Sequence, residues 1–104
     1  MATYVLAYTG GSMPETEEEQ ARVMAAWGAW MDALGGGVVD GGNPFGPSAT
    51  VAPDGGVTDG GASRLTGYTI ITADSLGAAT ASAKDCPVLS SGGAVEVYEV
   101  VPVM

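Results

Sequence analysis

The sequence predicts an α+β fold in which a four-stranded antiparallel sheet carries two helices on one face. Three observations predict it. Strand-like and helix-like stretches follow one another in the order β-α-β-β-α-β, and glycine-rich turns separate them. The 104 residues fit one domain, residues 1–104, burying roughly two-thirds of the unfolded surface. The apolar fraction of 46% supplies a full core, while charged residues, at 14%, fall well below the usual share of about 25%.

Thr3–Thr9 (TYVLAYT) is β-branched and aromatic and stops at Gly10-Gly11, which makes it the first strand. A helix begins within residues 12–17. Ser12 and Glu15 have capping-box spacing with Pro14 near the first turn, and Thr16 and Glu19 repeat that spacing one turn later. Glu15, Glu17, Glu18 and Glu19 cluster where the helix macrodipole is positive, so their position has a local electrostatic cause.

Val23, Trp27, Trp30 and Leu34 recur along one helical face, and Met24 and Met31 widen it. Such a stripe packs on a sheet, although two Trp three residues apart also have the form of a stacking platform. Gly35-Gly36-Gly37 ends the helix.

Val38-Val39-Asp40 starts a short second strand. Asn43-Pro44, Gly46-Pro47 and Asp54-Gly55-Gly56 are turn chemistry, so residues 41–64 are dominated by loop. Within that loop, residues 49–52 and 57–58 can pair as a small hairpin arm. Leu65–Thr72 (LTGYTIIT) is the best internal strand, and Asp74-Ser75 supplies the N-cap of a second helix over about residues 75–84. Ala78, Ala79, Ala81 and Ala83 keep that helix slim, and Pro87 lies past its end. Cys86, beside Pro87, reads as a buried cap of that helix. Residues 94–103 (AVEVYEVVPV) form the last strand.

This order gives a ferredoxin-like, split β-α-β sheet with one face left uncovered. Alternation puts Tyr4, Leu6 and Tyr8 on one side of the first strand and Val5 and Ala7 on the other. The last strand divides likewise into Glu96, Tyr98, Val100 and Val95, Val97, Glu99, Val101. Neither side is uniformly polar. Both faces are therefore expected to be covered, one by helices and one by a second subunit's sheet, as a homodimeric α/β barrel.

Twelve acids against three bases (Arg22, Arg64, Lys84) give a net charge of -9, which repels a phosphate backbone and excludes nucleic acid as a partner. No run reaches the roughly 18 apolar residues of a membrane helix, and the N-terminus lacks the basic region of a signal peptide, so no membrane partner and a cytoplasmic address are expected. With no histidine and one cysteine, only hard oxygen metal sites remain, and no acidic calcium loop is present to make one. No phosphate loop or dinucleotide fingerprint occurs, and no metal or cofactor is expected.

The N-terminal YVLAYTGG, the Glu-rich start and Trp of the first helix, VTDGG followed by LTGYTIITADSLGAATASAKDCP, and GGAVEVYEVVPV resemble the YCII-related (DGPF-containing) family along nearly the whole chain. The resemblance implies a dimeric α/β barrel and, in some members, small-molecule catalysis by an acidic residue and a histidine. Two departures bear on function. The family's Asp-Gly-Pro-Phe segment is reduced here to Asp59-Gly60-Gly61-Ala62-Ser63-Arg64, and the absence of histidine makes a His–Asp dyad impossible. Acid–base chemistry would fall to carboxylates, Tyr hydroxyls or Cys86.

On that resemblance Asp59 is a candidate general base at the barrel mouth, although Thr58-Asp59-Gly60-Gly61 is also a good turn. Arg64, in the same loop, would neutralise Asp59 or bind an anionic ligand. Glu96 is a second candidate catalytic carboxylate, because a carboxylate inside a barrel needs a reason; an edge or solvent-facing position would remove that reason. Tyr8, Tyr68 and Tyr98 suit a semi-polar pocket around a planar ligand, while cross-strand packing explains them equally well. Two functions are compatible with these residues. One is an enzyme of isomerase, cyclase or lyase type on a small apolar or aromatic substrate. The other is a non-catalytic homodimer that binds a small molecule or assists a pathway; a purely structural dimer with a filled interior is the third form.

Overall fold

The computed structural model describes residues 1–12 and 14–103. Its elements are β1 (Ala2–Thr9), α1 (Glu17–Leu34), β2 (Val38–Asp40), β3 (Ala49–Val51), β4 (Val57–Asp59), β5 (Leu65–Ala73), α2 (Leu76–Ala83) and β6 (Ala94–Val100). The main sheet has the order β2-β5-β1-β6, with every neighbour antiparallel. This is the expected ferredoxin-like α+β arrangement. β3 and β4 form a separate two-stranded sheet, the hairpin arm.

Of the two capping-box spacings before α1, the second one starts the helix. The Thr16 hydroxyl accepts the Glu19 N–H at 3.1 Å, and the Glu19 carboxylate accepts the Glu15 N–H at 3.1 Å. Gly35 follows with φ 55°, a region that side chains disfavour, and the chain tightens into a 3-10 turn at Gly35–Gly37. Ser75 caps α2 by accepting the Ala78 N–H at 3.1 Å. A short 3-10 helix, Pro87–Ser91, then leads to β6.

The helices cover the face that carries Tyr4, Leu6 and Tyr8 of β1, Thr69 and Ile71 of β5, and Val95 and Val97 of β6. Burying Leu6 and Ile71 contributes about 1.5–3 kcal/mol each. Trp30 is buried, and its indole N–H donates to the Ser82 carbonyl at 3.0 Å, joining α1 to the end of α2. Trp27 sets its ring edge-on to Tyr8 at 5.4 Å and to Trp30 at 5.6 Å. The two Trp are thus core, as the helical stripe predicts. The stripe outruns its cover at its start, where Val23 and Met24 are exposed. Cys86 is buried at the cap of the 3-10 helix, and burial pushes its thiol pKa up, so it is held as a neutral thiol.

Candidate functional site

The face of the main sheet away from the helices is not covered. Register places three rows across it: Tyr68, Ala7 and Glu96; Ile70, Val5 and Tyr98; Thr72, Thr3 and Val100. Asp40 of β2 stands opposite Ile70 at the edge of the second row. Val5, Ala7 and Ile70 make an apolar floor, and the groups that rise from either side of it are tyrosines and carboxylates.

On the β6 side, the Tyr98 hydroxyl donates to the Glu96 carboxylate. The two residues are one pleat apart on the same strand, so both point to this face. Both are exposed, Tyr98 at 55%, and the Glu96 carboxylate, through its hydrogen bond and its charge, pushes the Tyr98 pKa up. The hydroxyl therefore keeps its proton at neutral pH.

A second pair stands on the β5 side. The Tyr68 hydroxyl donates to Asp40 Oδ2 at 3.2 Å, and its ring stacks on Phe45 with centroids 5.6 Å apart and planes 19° from parallel. Asp40 Oδ1 accepts the Gly42 N–H at 2.8 Å, so both carboxylate oxygens are engaged. This geometry depends on local glycines. The register slips between Val38 and Asp40, and Gly42, at φ 82°, lies directly against the Tyr68 carbonyl. Gly67 has no side chain to obstruct Asn43-Pro44, which runs antiparallel alongside β5 there and delivers Phe45 to the Tyr68 ring.

β5 and β6 are two strand spacings apart, roughly 10 Å, about the width of one ring with a hydrogen bond at each end. β1, β2, β5 and β6 carry no Lys or Arg. The face therefore offers acceptors and protonated hydroxyls and repels anions.

The remaining sequence-predicted residues lie elsewhere. Tyr8 is on the opposite face, 5% exposed under the helices, and its hydroxyl donates to Thr69 Oγ1 at 2.6 Å. Asp59 ends β4 on the hairpin arm, where with Ser48, Thr50, Gly61 and Arg64 it lines a shallow hollow of about 480 Å³. The turn after Asp59 is shaped by Ser48 and Thr50, which bond Gly60, Gly61 and Ala62 and leave the Asp59 carboxylate out. Arg64 is exposed and takes a left-handed backbone, φ 54°. The sheet thus brings Glu96, Tyr98 and Tyr68 to one surface, and does not bring Asp59, Arg64 or Tyr8 to it. Among the described residues no three His, Cys, Asp or Glu side chains gather as a metal site.

The model of the YCII-related domain matches residues 1–104. The chain belongs to the YCII-related family. Among solved structures, this YCII-related chain is similar to the 5-chloro-2-hydroxyhydroquinone dehydrochlorinase of Burkholderia phenoliruptrix in complex with 2,5-dihydroxybenzoquinone. The likeness has a TM-score of 0.57 at 17% identity and covers 95% of this chain and 93% of that one, which shows a shared fold. A search of curated proteins finds no significant match. No helix among the described residues is long and apolar enough to cross a membrane.

Sequence reasoning missed Asp40 and Phe45 as parts of this open face. Asp40 stood in plain view as the end of a short strand, and Asp40-Gly41-Gly42 is the pattern of a turn in which Asp bonds the backbone two residues on. The stacking of Phe45 on Tyr68 had no local signal, because 23 positions of chain separate them and only an isolated bridge from Pro44 to Gly67 brings them together.

Proposed function

We propose that this YCII-related protein performs acid–base chemistry on a small, neutral, hydroxylated ring, held on the open sheet face and enclosed by the same face of a second copy. The observation that supports this reading is the pair of tyrosine–carboxylate hydrogen bonds, Tyr68 to Asp40 and Tyr98 to Glu96, on either side of the Val5-Ala7-Ile70 floor. A carboxylate there can take a proton from a ring hydroxyl or an activated C–H. A neighbouring tyrosine can return one to a ring oxygen, which is the proton traffic of isomerase and lyase reactions. The histidine of the family's dyad is absent, so each carboxylate is paired instead with a phenol. The similar structure holds 2,5-dihydroxybenzoquinone, a hydroxylated ring of this size that differs from the proposed ligand in being anionic at neutral pH. Asp59 and Arg64, on the arm, stand outside this constellation.

Titration with 1,4-dihydroxybenzene, neutral at pH 7, tests the reading by calorimetry and by native mass spectrometry of the dimer. Saturable binding that weakens about tenfold or more in both Asp40→Asn and Glu96→Gln is expected. Binding that survives both changes would place the ligand elsewhere. The exposure of Glu96 and Tyr98 favours a second reading, a non-catalytic binder. Binding with no conversion of any hydroxylated ring offered, chlorinated ones included, would select it.

A further inference from the structure

The most buried polar group of the sheet lies beneath the open face. Thr69 is 0% exposed, and its hydroxyl accepts the Tyr8 O–H at 2.6 Å and donates to the Gly41 carbonyl at 3.0 Å. Gly41 is the middle of the tight Asp40–Gly42 turn, which follows the bulge between Val38 and Asp40 and in which Gly42 gives its N–H to Asp40 Oδ1 at 2.8 Å. One chain of hydrogen bonds therefore runs from the helix-covered core, through the sheet edge, to the carboxylate that takes the Tyr68 hydroxyl on the other face.

Packing alone gives no reason for this chain. Val in place of Thr69 and Phe in place of Tyr8 would fill nearly the same volume, but would leave the Gly41 carbonyl without the Thr69 donor. What the hydroxyls supply is a fixed distance from β5 to a bulged edge strand of three residues, which few ladder bonds hold.

We infer that Thr69 and Tyr8 are positioning residues: from the buried face of the sheet they hold the Asp40–Gly42 turn, and through it set the Asp40 carboxylate against Tyr68. The inference rests on the open-face reading for its functional meaning, but its geometry can be measured without any ligand.

The test is carbon-13 and amide NMR of the full chain as wild type, Thr69→Val, Thr69→Ser, Tyr8→Phe and Asp40→Asn. In Thr69→Val the Gly42 amide should exchange at least about tenfold faster, and the Tyr68 ring-carbon resonance beside its hydroxyl should move toward its position in Asp40→Asn. Thr69→Ser, which keeps the hydroxyl, should restore both, and Tyr8→Phe should show a smaller change of the same sign. A wild-type Gly42 exchange rate together with a wild-type Tyr68 resonance in Thr69→Val overturns the inference. Should Thr69→Val not fold, the same two readings in Tyr8→Phe decide: a shift supports the inference and its absence overturns it. The open-face reading fails separately, if 1,4-dihydroxybenzene binds Asp40→Asn as tightly as wild type while these resonances still move.

Discussion

Gly42 passes so close to β5 that a Cβ at its position would overlap the carbonyl oxygen of Tyr68. The obstacle is backbone of the central sheet, which cannot turn aside as a side chain can. The φ of 82° adds a second penalty for any other residue. Gly42→Ala is therefore expected to cost about 2–4 kcal/mol in urea unfolding. Gly41→Ala next to it meets only the end of Met31, at 4.0 Å, and should cost under about 1 kcal/mol. Equal losses at the two positions would refute the close crossing.

Trp30 supplies a second check on the fold. Its indole N–H and the Ser82 carbonyl form the polar link between α1 and the end of α2, and that bond is partly buried. Trp30→Phe keeps an aromatic ring beside Trp27 but leaves the Ser82 carbonyl without this donor. A loss of about 2–4 kcal/mol is expected from the missing bond and the smaller ring together. A variant as stable as wild type in thermal unfolding would show that the bond does not hold the helices together.

Three tyrosines have raised pKa values for different reasons. Burial is the main cause for Tyr8 and Tyr4, the latter helped by the Glu99 carboxylate that takes its hydroxyl at 3.2 Å, while for Tyr98 the cause is Glu96. A folded pKa above the unfolded value of about 10 means that, above pH 10, the unfolded chain releases protons that the folded chain keeps. The stabilisation is complete below pH 10 and is lost as pH rises past it. Melting temperature should fall as pH rises above about 10, and more gently in Tyr8→Phe. Parallel curves for wild type and Tyr8→Phe would contradict the buried, neutral Tyr8.

The order of elements was legible because each has a local cause: Thr16 and Ser75 are caps, residues 3–9 and 65–72 are β-branched runs, and Trp27, Trp30 and Leu34 repeat at helical period. Alternation also assigned Tyr98 and Glu96 to one face, since period two needs no knowledge of the fold. It could not say that Tyr8 and Tyr68 face opposite ways, because that depends on how β5 is registered against β1. Ala7 stands opposite Tyr68, and Tyr8 opposite Gly67. Asp40 escaped for a related reason: its direction is set by a bulge and by a hydrogen bond to a residue 28 positions away.

The proposed enclosure of the open face by a second copy yields the last prediction. Each copy carries a charge of -9, so two copies repel, and what opposes that repulsion is the apolar floor around Val5, Ile70 and Val100. Association should therefore strengthen with added salt, which screens the repulsion and leaves apolar burial intact. Val5→Arg puts a long cation in the middle of that floor. In a lone subunit it can reach water, so the fold should survive; between two sheets it would be buried and unpaired, at a cost of several kcal/mol. Sedimentation and native mass spectrometry should show wild type as a dimer and Val5→Arg as a folded monomer. A Val5→Arg dimer as tight as wild type would mean that the copies meet through another surface, and that the tyrosine–carboxylate pairs face open water.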